Sequence, residues 1–261
     1  MRIPILAAVL ISASASVCLA HDSWVMCTPP NVRSGGEVAL HITSGTAFPK
    51  LETAPEASRV KSVGWRIGGR QGSLTVFDAE KESLVAKGRV NTDGVAVVYA
   101  EFNPKEIDLE PGKVEEYMDE IGAPESVRRA WKADGSGKFH ETFVKHAKTY
   151  LRVGDSGDAK GCLGPLGLNI DFLPDRDPTS LKVGDTLTIK AIRGGNEMES
   201  FAVGTVSGSG TAKLQRTNRA GMVSIDIDSS GWWLVRGTEL RHNSDGTWQS
   251  DWTTLTFFVE K

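Results

Sequence analysis

His21 is the residue with the clearest chemical potential, because of what precedes it in the chain. Residues 1–20 have the pattern of a secretory signal peptide, with one early charge at Arg2, an apolar run over 3–11 and a small-residue tail. Cleavage after Ala20 makes His21 the first residue of the exported chain. A terminal His offers its α-amine and its ring Nδ1 together, which close a six-membered chelate on a metal ion. The sequence therefore predicts a metal ligand at His21.

The other four histidines form neither an HxH nor an HExxH pattern. His140 and His146 are six residues apart, so on a helix they point ~120° away from each other and do not bind one ion together. His146 falls on the same apolar helical face as Phe143, which predicts a core histidine. We expect His41 and His242 to be solvated.

Catalytic patterns are missing from the sequence. It contains no GxSxG elbow and no phosphate-binding glycine loop. Its adjacent carboxylates, such as Glu115-Glu116 and Asp119-Glu120, lie in charged runs that a solvated helix face explains. We therefore expect a protein that is not an enzyme.

Four tryptophans near the end of the chain allow two interpretations. Exposed together, their rings would form a platform for sugars or other rings. The alternation of Leu255, Phe257 and Val259 instead predicts strands that bury at least half of these rings in a core. The four residues are Trp232, Trp233, Trp248 and Trp252.

Two cysteines, Cys27 and Cys162, follow the predicted cleavage site. Export to an oxidising compartment permits a disulfide, which across so long a loop contributes ~4 kcal/mol in the chain-entropy model. Two buried, unpaired thiols are the alternative, and of the two we expect the disulfide. The net charge of −3 favours neither nucleic acid nor an anionic membrane surface as a partner.

Alternating apolar residues and Gly-rich turns indicate a mainly β protein. Residues 32–40 resemble residues 181–189: in each, a Gly and acidic turn leads into period-two alternation. This weak repeat predicts two tandem Ig-like β-sandwich domains, over 21–155 and 165–261, joined by a Gly- and Asp-rich linker.

A short helical insert is expected in the first sandwich, over about 112–148. Apolar residues at helical spacing predict one helix over 114–121 and a second over 124–131. A third helix is predicted from Lys138 to about Lys148, followed by a strand over 150–153.

Several stretches, in order along the chain, resemble a known family. They are Ala20-His21-Asp22-Ser23-Trp24, Glu141–Lys148, Gly164–Leu168, Gly231–Arg236 and Trp252–Phe257. The family is a group of exported bacterial proteins associated with nickel and cobalt uptake, much of it classed as a domain of unknown function (DUF4198-like). The matches span nearly the whole chain after the predicted cleavage site.

The resemblance implies a two-sandwich periplasmic protein that binds a divalent metal and assists a membrane metal transporter. It implies His21 and His146 as ligands. Relatives often have a further His where this chain has Glu239, and a carboxylate is a harder ligand than imidazole. We expect nickel or cobalt, with copper or zinc as competitors. Neither nucleic acid binding nor membrane insertion is expected.

Two alternatives stay open at this point. Tandem sandwiches also serve as interaction or carbohydrate-binding modules, for which exposed Trp rings would be the sign. A terminal His on a β-sandwich also resembles the copper-binding site of polysaccharide monooxygenases, which needs a second His nearby; His146 is the candidate.

Overall fold

The computed structural model describes residues 21–261, so the predicted signal peptide lies outside the described residues. The fold is mainly β with sandwich-like sheets, as predicted. Within the described part of the chain, no helix is long and apolar enough to cross a membrane.

One ten-stranded sheet forms the centre of the molecule. Eight strands follow one another across it in this order: β15 (Ala212–Arg216), β14 (Ala202–Val206), β17 (Gly231–His242), β18 (Trp248–Val259), β10 (Phe139–Val153), β8 (Gly94–Phe102), β4 (Val60–Ile67) and β5 (Arg70–Ser73). Two more strands pair with the long β10, namely β2 (Asn31–Val32) and β9 (Lys105–Leu109).

Two smaller sheets pack against opposite faces of this central sheet. The first contains β1 (Asp22–Cys27), β3 (Glu37–Gly45), β7 (Leu84–Arg89) and β6 (Val76–Ala79). The second contains β11 (Ile170–Pro174), β12 (Thr186–Arg193), β13 (Asn196–Glu197) and β16 (Met222–Asp226). The two segments of the weak repeat lead into β3 and β12, which occupy equivalent places in these sheets.

The central sheet has two apolar faces because successive residues of a strand point to opposite sides. On β10, Ala147 and Leu151 belong to the core shared with the first small sheet. Tyr150 belongs to the core shared with the second. The two sandwiches therefore meet along one sheet, where β10 and β18 pair in parallel. The boundaries 21–155 and 165–261 stay a prediction.

The helical insert contains two helices, α1 (Pro111–Glu120) and α2 (Glu125–Asp134), close to the predicted positions. Pro111 occupies the first turn of α1, where its missing N–H costs nothing. Gly135 ends α2 in the left-handed conformation, at φ 60°. The buried side of α1 covers a cluster of aromatic side chains at one end of the central sheet.

The third predicted helix is wrong. Residues 139–153 form the strand β10, which pairs with neighbours on both sides. The physical reason is tertiary: β-branched residues such as Thr142, Val144 and Thr149 favour a strand, and the pairing overrides weak helical spacing.

The expected disulfide is also wrong. Cys27 and Cys162 are both free and buried, and they lie in the two different cores, on opposite faces of the central sheet. Burial raises the pKa of Cys162 to about 12 and raises that of Cys27 strongly as well. The thiols are therefore protonated and unreactive in the native protein.

We predict that neither thiol reacts with DTNB in the folded protein at about pH 8, whereas both react after unfolding, because burial keeps them protonated and inaccessible. Intact mass before and after reduction provides the check. A mass lower by two hydrogens before reduction would contradict the structure. The Cys162→Ala variant, with one reactive thiol after unfolding, is the control.

A buried ion pair joins β10 to β11. Lys148 donates from Nζ to Asp171 Oδ1, and both side chains are 1% exposed. The second oxygen of Asp171 accepts the backbone N–H of Leu166 at 2.7 Å. Burial lowers the pKa of Lys148, and the nearby Asp171 carboxylate opposes this effect. Each charge depends on the other, since water cannot reach them.

We predict that Lys148→Met lowers the free energy of unfolding by about 3–5 kcal/mol, because it leaves Asp171 buried without its cation. The double variant Lys148→Met/Asp171→Leu should recover most of this loss. Lys190→Met is the matched control, since its pair with Glu197 is partly exposed and should be worth less than about 1 kcal/mol. Urea denaturation measures all three, and equal effects of Lys148→Met and Lys190→Met would contradict the prediction.

Candidate functional site

A cavity of about 530 Å³ opens at the end of the first sandwich, beside the start of β1. His21, strands β1, β3, β8, β9, β10 and β18, helix α1 and the segment 53–59 supply its lining. We call four of the partly or fully exposed lining residues the rim, namely His21, Glu56, Arg59 and Lys105. The cavity lies on the face of β10 that carries Glu141, Phe143 and Lys145.

His21 belongs to this lining because β1 is fixed on both sides. The strand pairs with β3, and all six of its residues are buried. Two threonines of β18 donate to its backbone: Thr254 to the carbonyl of Ser23, at 2.7 Å, and Thr256 to that of Val25, at 2.5 Å. Lys145 Nζ donates to the carbonyl of His21 itself, also at 2.5 Å. The residue just after the predicted cleavage site therefore has a fixed backbone beside the cavity.

Two cations lie against an aromatic wall of the cavity. Lys145 Nζ is 5.4 Å from the ring centre of Phe143 and 5.1 Å from that of Trp252. The guanidinium of Arg59 lies 5.6 Å from the Phe143 ring and donates to the carbonyl of Pro104 at 2.8 Å. These distances permit cation–π attraction, which favours this arrangement of both cations.

A carboxyl group lies at the buried end of the cavity. Glu141 is 2% exposed. Its Oε1 accepts the hydroxyl of Tyr117 at 2.9 Å and also that of Ser250. Trp252 Nε1 donates to the Ser250 oxygen at 2.8 Å. Burial raises the pKa of Glu141 above its usual range, although the two hydroxyl donors oppose the shift. Neutral Glu141 is therefore favoured more than in an exposed glutamate.

The cavity lining is biased toward positive charge. Arg59, Lys105 and Lys145 contribute three cations. Glu56 and Glu141 are the acidic residues of the lining, and burial shifts Glu141 toward its neutral form. The lining can therefore attract an anion, while His21 adds imidazole nitrogens at the rim.

His146 lies on the other face of the sheet from His21. It follows Lys145 on a regular strand, so it points away from the cavity. Its ring is 4% exposed, and neither ring nitrogen has a hydrogen-bond partner. Burial lowers the pKa of His146, and the carboxylates of Glu101 and Asp251 partly oppose the shift. His146 is therefore buried, as predicted, but on the face of the strand opposite Phe143, so the shared apolar helical face on which the prediction rested is wrong.

Glu239 belongs to an ion-pair network. It lies opposite Asp251 in the β17–β18 pair. Arg193 and Arg241 contact the carboxylates of both Glu239 and Asp251; the Arg241 contacts measure 2.5 and 2.7 Å. Two guanidinium groups thus hold this carboxylate in place, on the same face of the sheet as His146.

The structure does not bring His21, His146 and Glu239 together. Among residues 21–261, no group of three or more His, Cys, Asp or Glu side chains could hold a metal ion. His41 and His242, expected to be solvated, are half-buried. His41 Nδ1 lies 3.1 Å from the Ser83 hydroxyl, and His242 stacks on a Trp ring.

The tryptophans are mainly core residues. Trp233, Trp248 and Trp252 are at most 7% exposed, and Trp232 is half-buried. The prediction that at least half are buried is confirmed. Trp252 has a second role, because its ring also lines the cavity.

Sequence reasoning missed Glu141, Lys145 and Arg59. The signal for the first two is their period-two spacing with Phe139 and Phe143, which puts two charges on an apolar strand face. That signal is hidden if the segment is taken as a helix. Nothing in the sequence marks Arg59, whose place depends on the folding of the 53–59 segment.

We predict that Glu141→Gln removes a pH dependence of stability. The pKa of Glu141 is raised in the folded state, so the native protein keeps this proton above the unfolded-state pKa of about 4.3. The stability that the bound proton contributes is therefore lost as pH rises through the folded pKa. Glutamine keeps an acceptor oxygen for Tyr117 and Ser250 but cannot ionise. The stability of the variant relative to the parent should therefore increase from about pH 5 to pH 8, as measured by urea denaturation. Glu106→Gln, an exposed change on β9, should keep the parent's profile. A Glu141→Gln profile identical to that of the parent would contradict the prediction.

Comparison with known proteins gives one family and distant folds. No curated protein matches the chain. Among solved structures, a bacterial ice-binding adhesin is 12% identical, with 93% of this chain and 65% of that chain covered and a TM-score of 0.25. A DUF4785 family protein from Legionella pneumophila is 9% identical, with 81% and 50% covered and a TM-score of 0.25. Murine CEACAM1b is 8% identical, with 92% and 99% covered and a TM-score of 0.22.

Similarities at these TM-scores carry no argument about function, and the chain spans less than two thirds of the length of the adhesin and of the Legionella protein. The family match is stronger evidence, because one family's sequence pattern matches residues 18–238, most of the chain. The chain belongs to the family described as a domain of unknown function, DUF4198.

Proposed function

We propose that this chain is an exported, non-catalytic protein that binds a divalent metal ion through His21 and passes it to a membrane transporter for nickel or cobalt. The observation that carries the proposal is the position of His21, on the rim of a cavity and at the start of an anchored strand. The sequence resemblance to proteins of nickel and cobalt uptake supports the choice of metal and partner.

Cleavage after Ala20 would give His21 two nitrogens for a chelate. Its backbone is already held by Lys145, so metal binding costs less conformational entropy than it would in a mobile tail. The carboxylate of Glu52 accepts the N–H groups of Thr46 and Ala47, which chiefly lower its pKa, and the charge of His21 contributes to the shift, so this carboxylate adds negative charge near the proposed ion. Imidazole and amine nitrogens suit nickel, cobalt, copper and zinc.

His146 and Glu239 are left out of the proposed site. They lie on the far face of the central sheet, where one is fully buried and the other is held by two arginines. The copper site of a monooxygenase requires a second His beside the first, so this position of His146 removes the support for that alternative. The burial of three of the four Trp rings likewise removes the main support for a carbohydrate platform.

We predict that the chain beginning at His21 binds about one divalent ion, and more weakly as pH falls, because imidazole and α-amine must lose their protons to bind. Calorimetry with nickel, cobalt, copper and zinc measures this. His21→Ala should weaken binding at least tenfold, and one extra alanine before His21 should weaken it too, because the α-amine becomes an amide.

His146→Ala and Glu239→Gln are the matched controls and should leave the affinity unchanged. Failure of the processed chain to bind any of the four ions would overturn the proposal. Equal affinity with and without the extra alanine would overturn the role of the terminal chelate.

A further inference from the structure

The cavity beside His21 is much larger than a metal site needs. Its volume of about 530 Å³ falls in the range of roughly 300–1,000 Å³ that is typical of small-molecule sites. A metal ion bound at the rim by His21 would leave most of this space to another occupant. The chemistry of the lining indicates what that occupant is.

The lining combines cations with an apolar wall. Arg59 and Lys105 lie on the rim and share the cavity lining with the side chains of Phe102, Phe143 and Ile107. Lys145 donates to the carbonyl of His21 and the hydroxyl of Ser23. These bonds hold its ammonium in place against the aromatic wall.

Arg59 has donor capacity beyond its one bond to a backbone carbonyl, because a guanidinium carries five N–H groups. Its planar fork matches a carboxylate better than an ammonium does.

We propose that this cavity binds a small organic carboxylate with an aromatic or apolar body. Arg59 holds the carboxylate, Lys105 adds positive charge, and the body lies along Phe143 and Trp252. The buried end does not repel an anion strongly, because the Glu141 oxygen already accepts two hydroxyl donors and its neutral form is favoured by burial. This site goes beyond metal binding and does not require it.

The volume and the lining argue for this ligand class over others. Bare phosphate or sulfate would leave the aromatic wall without a partner. An uncharged sugar would make no use of the excess positive charge of the lining, where Arg59, Lys105 and Lys145 outnumber Glu56. A carboxylate joined to a ring or a short apolar chain satisfies both parts of the lining together.

Phthalate is a suitable probe, since it joins an aromatic ring to two carboxylates. We expect calorimetry on the chain beginning at His21, without metal, to give a dissociation constant below about 1 mM. Dimethyl phthalate, which has the same ring and no charge, should bind at least tenfold more weakly, and so should citrate, which has charge and no ring. Arg59→Gln should weaken phthalate binding about tenfold or more, because it removes a charge-assisted contact.

Three further variants separate the effects of charge, of folding and of metal binding. Arg59→Lys keeps the cation and should recover part of the affinity. Lys61→Gln is the matched control, because Lys61 is an exposed cation of β4 that pairs with Glu101 and does not line the cavity. His21→Ala should keep phthalate binding while it loses metal, so the two proposals fail separately.

Three outcomes would overturn the inference. Equal binding of phthalate and its diester would show an apolar site without anion recognition. Equal effects of Arg59→Gln and Lys61→Gln would remove Arg59 from the site. Phthalate binding that requires added nickel would show that the anion binds the metal and not the cavity.

Discussion

The pairing of β10 with β18 is the constraint on which the rest of the structure depends. The two strands run parallel over residues 141–149 and 248–256, and they join the two sandwiches into one central sheet. Each face of β10 then contributes to a different core. One face carries the cavity residues Glu141, Phe143 and Lys145, while the other buries His146 and Lys148. A shift of one residue in this register would exchange all of these side chains between the two faces.

The β10–β18 register is stabilised by buried polar contacts whose partners lie on only one face of the sheet. Lys148 finds its carboxylate on β11, in the second core. Glu141 finds the hydroxyls of Tyr117 and Ser250 on the other face. These two buried ionisable groups are stabilised in different ways, one by an ion pair and the other by hydrogen bonds and a raised pKa. Exchanging faces would leave each without its partners, which burial makes costly.

The same strand shows what the sequence could and could not predict. The alternation in β3, β12 and β18 and the helical spacing in α1 and α2 are local signals, and the elements form where they predict. In β10 both faces carry charges, such as Lys145 on one and Lys148 on the other, so the apolar residues also fit helical spacing and the pattern does not distinguish a strand from a helix. Only a strand, in which odd and even residues face opposite sides, shows that His146 points away from His21. The disulfide prediction is wrong for a similar reason, because only the topology shows that Cys27 and Cys162 lie in different cores.

Lys145 connects the two proposed binding events physically. Its ammonium fixes the carbonyl of His21 and lies against the aromatic wall of the cavity. A divalent cation at His21 would add positive charge to a lining where Arg59, Lys105 and Lys145 already outnumber Glu56, which disfavours the metal alone. An organic anion in the cavity would offset that charge at short range, where partial burial weakens screening by water. Thermodynamic linkage then requires each ligand to strengthen the binding of the other, so metal and carboxylate would be held together more tightly than either would be alone.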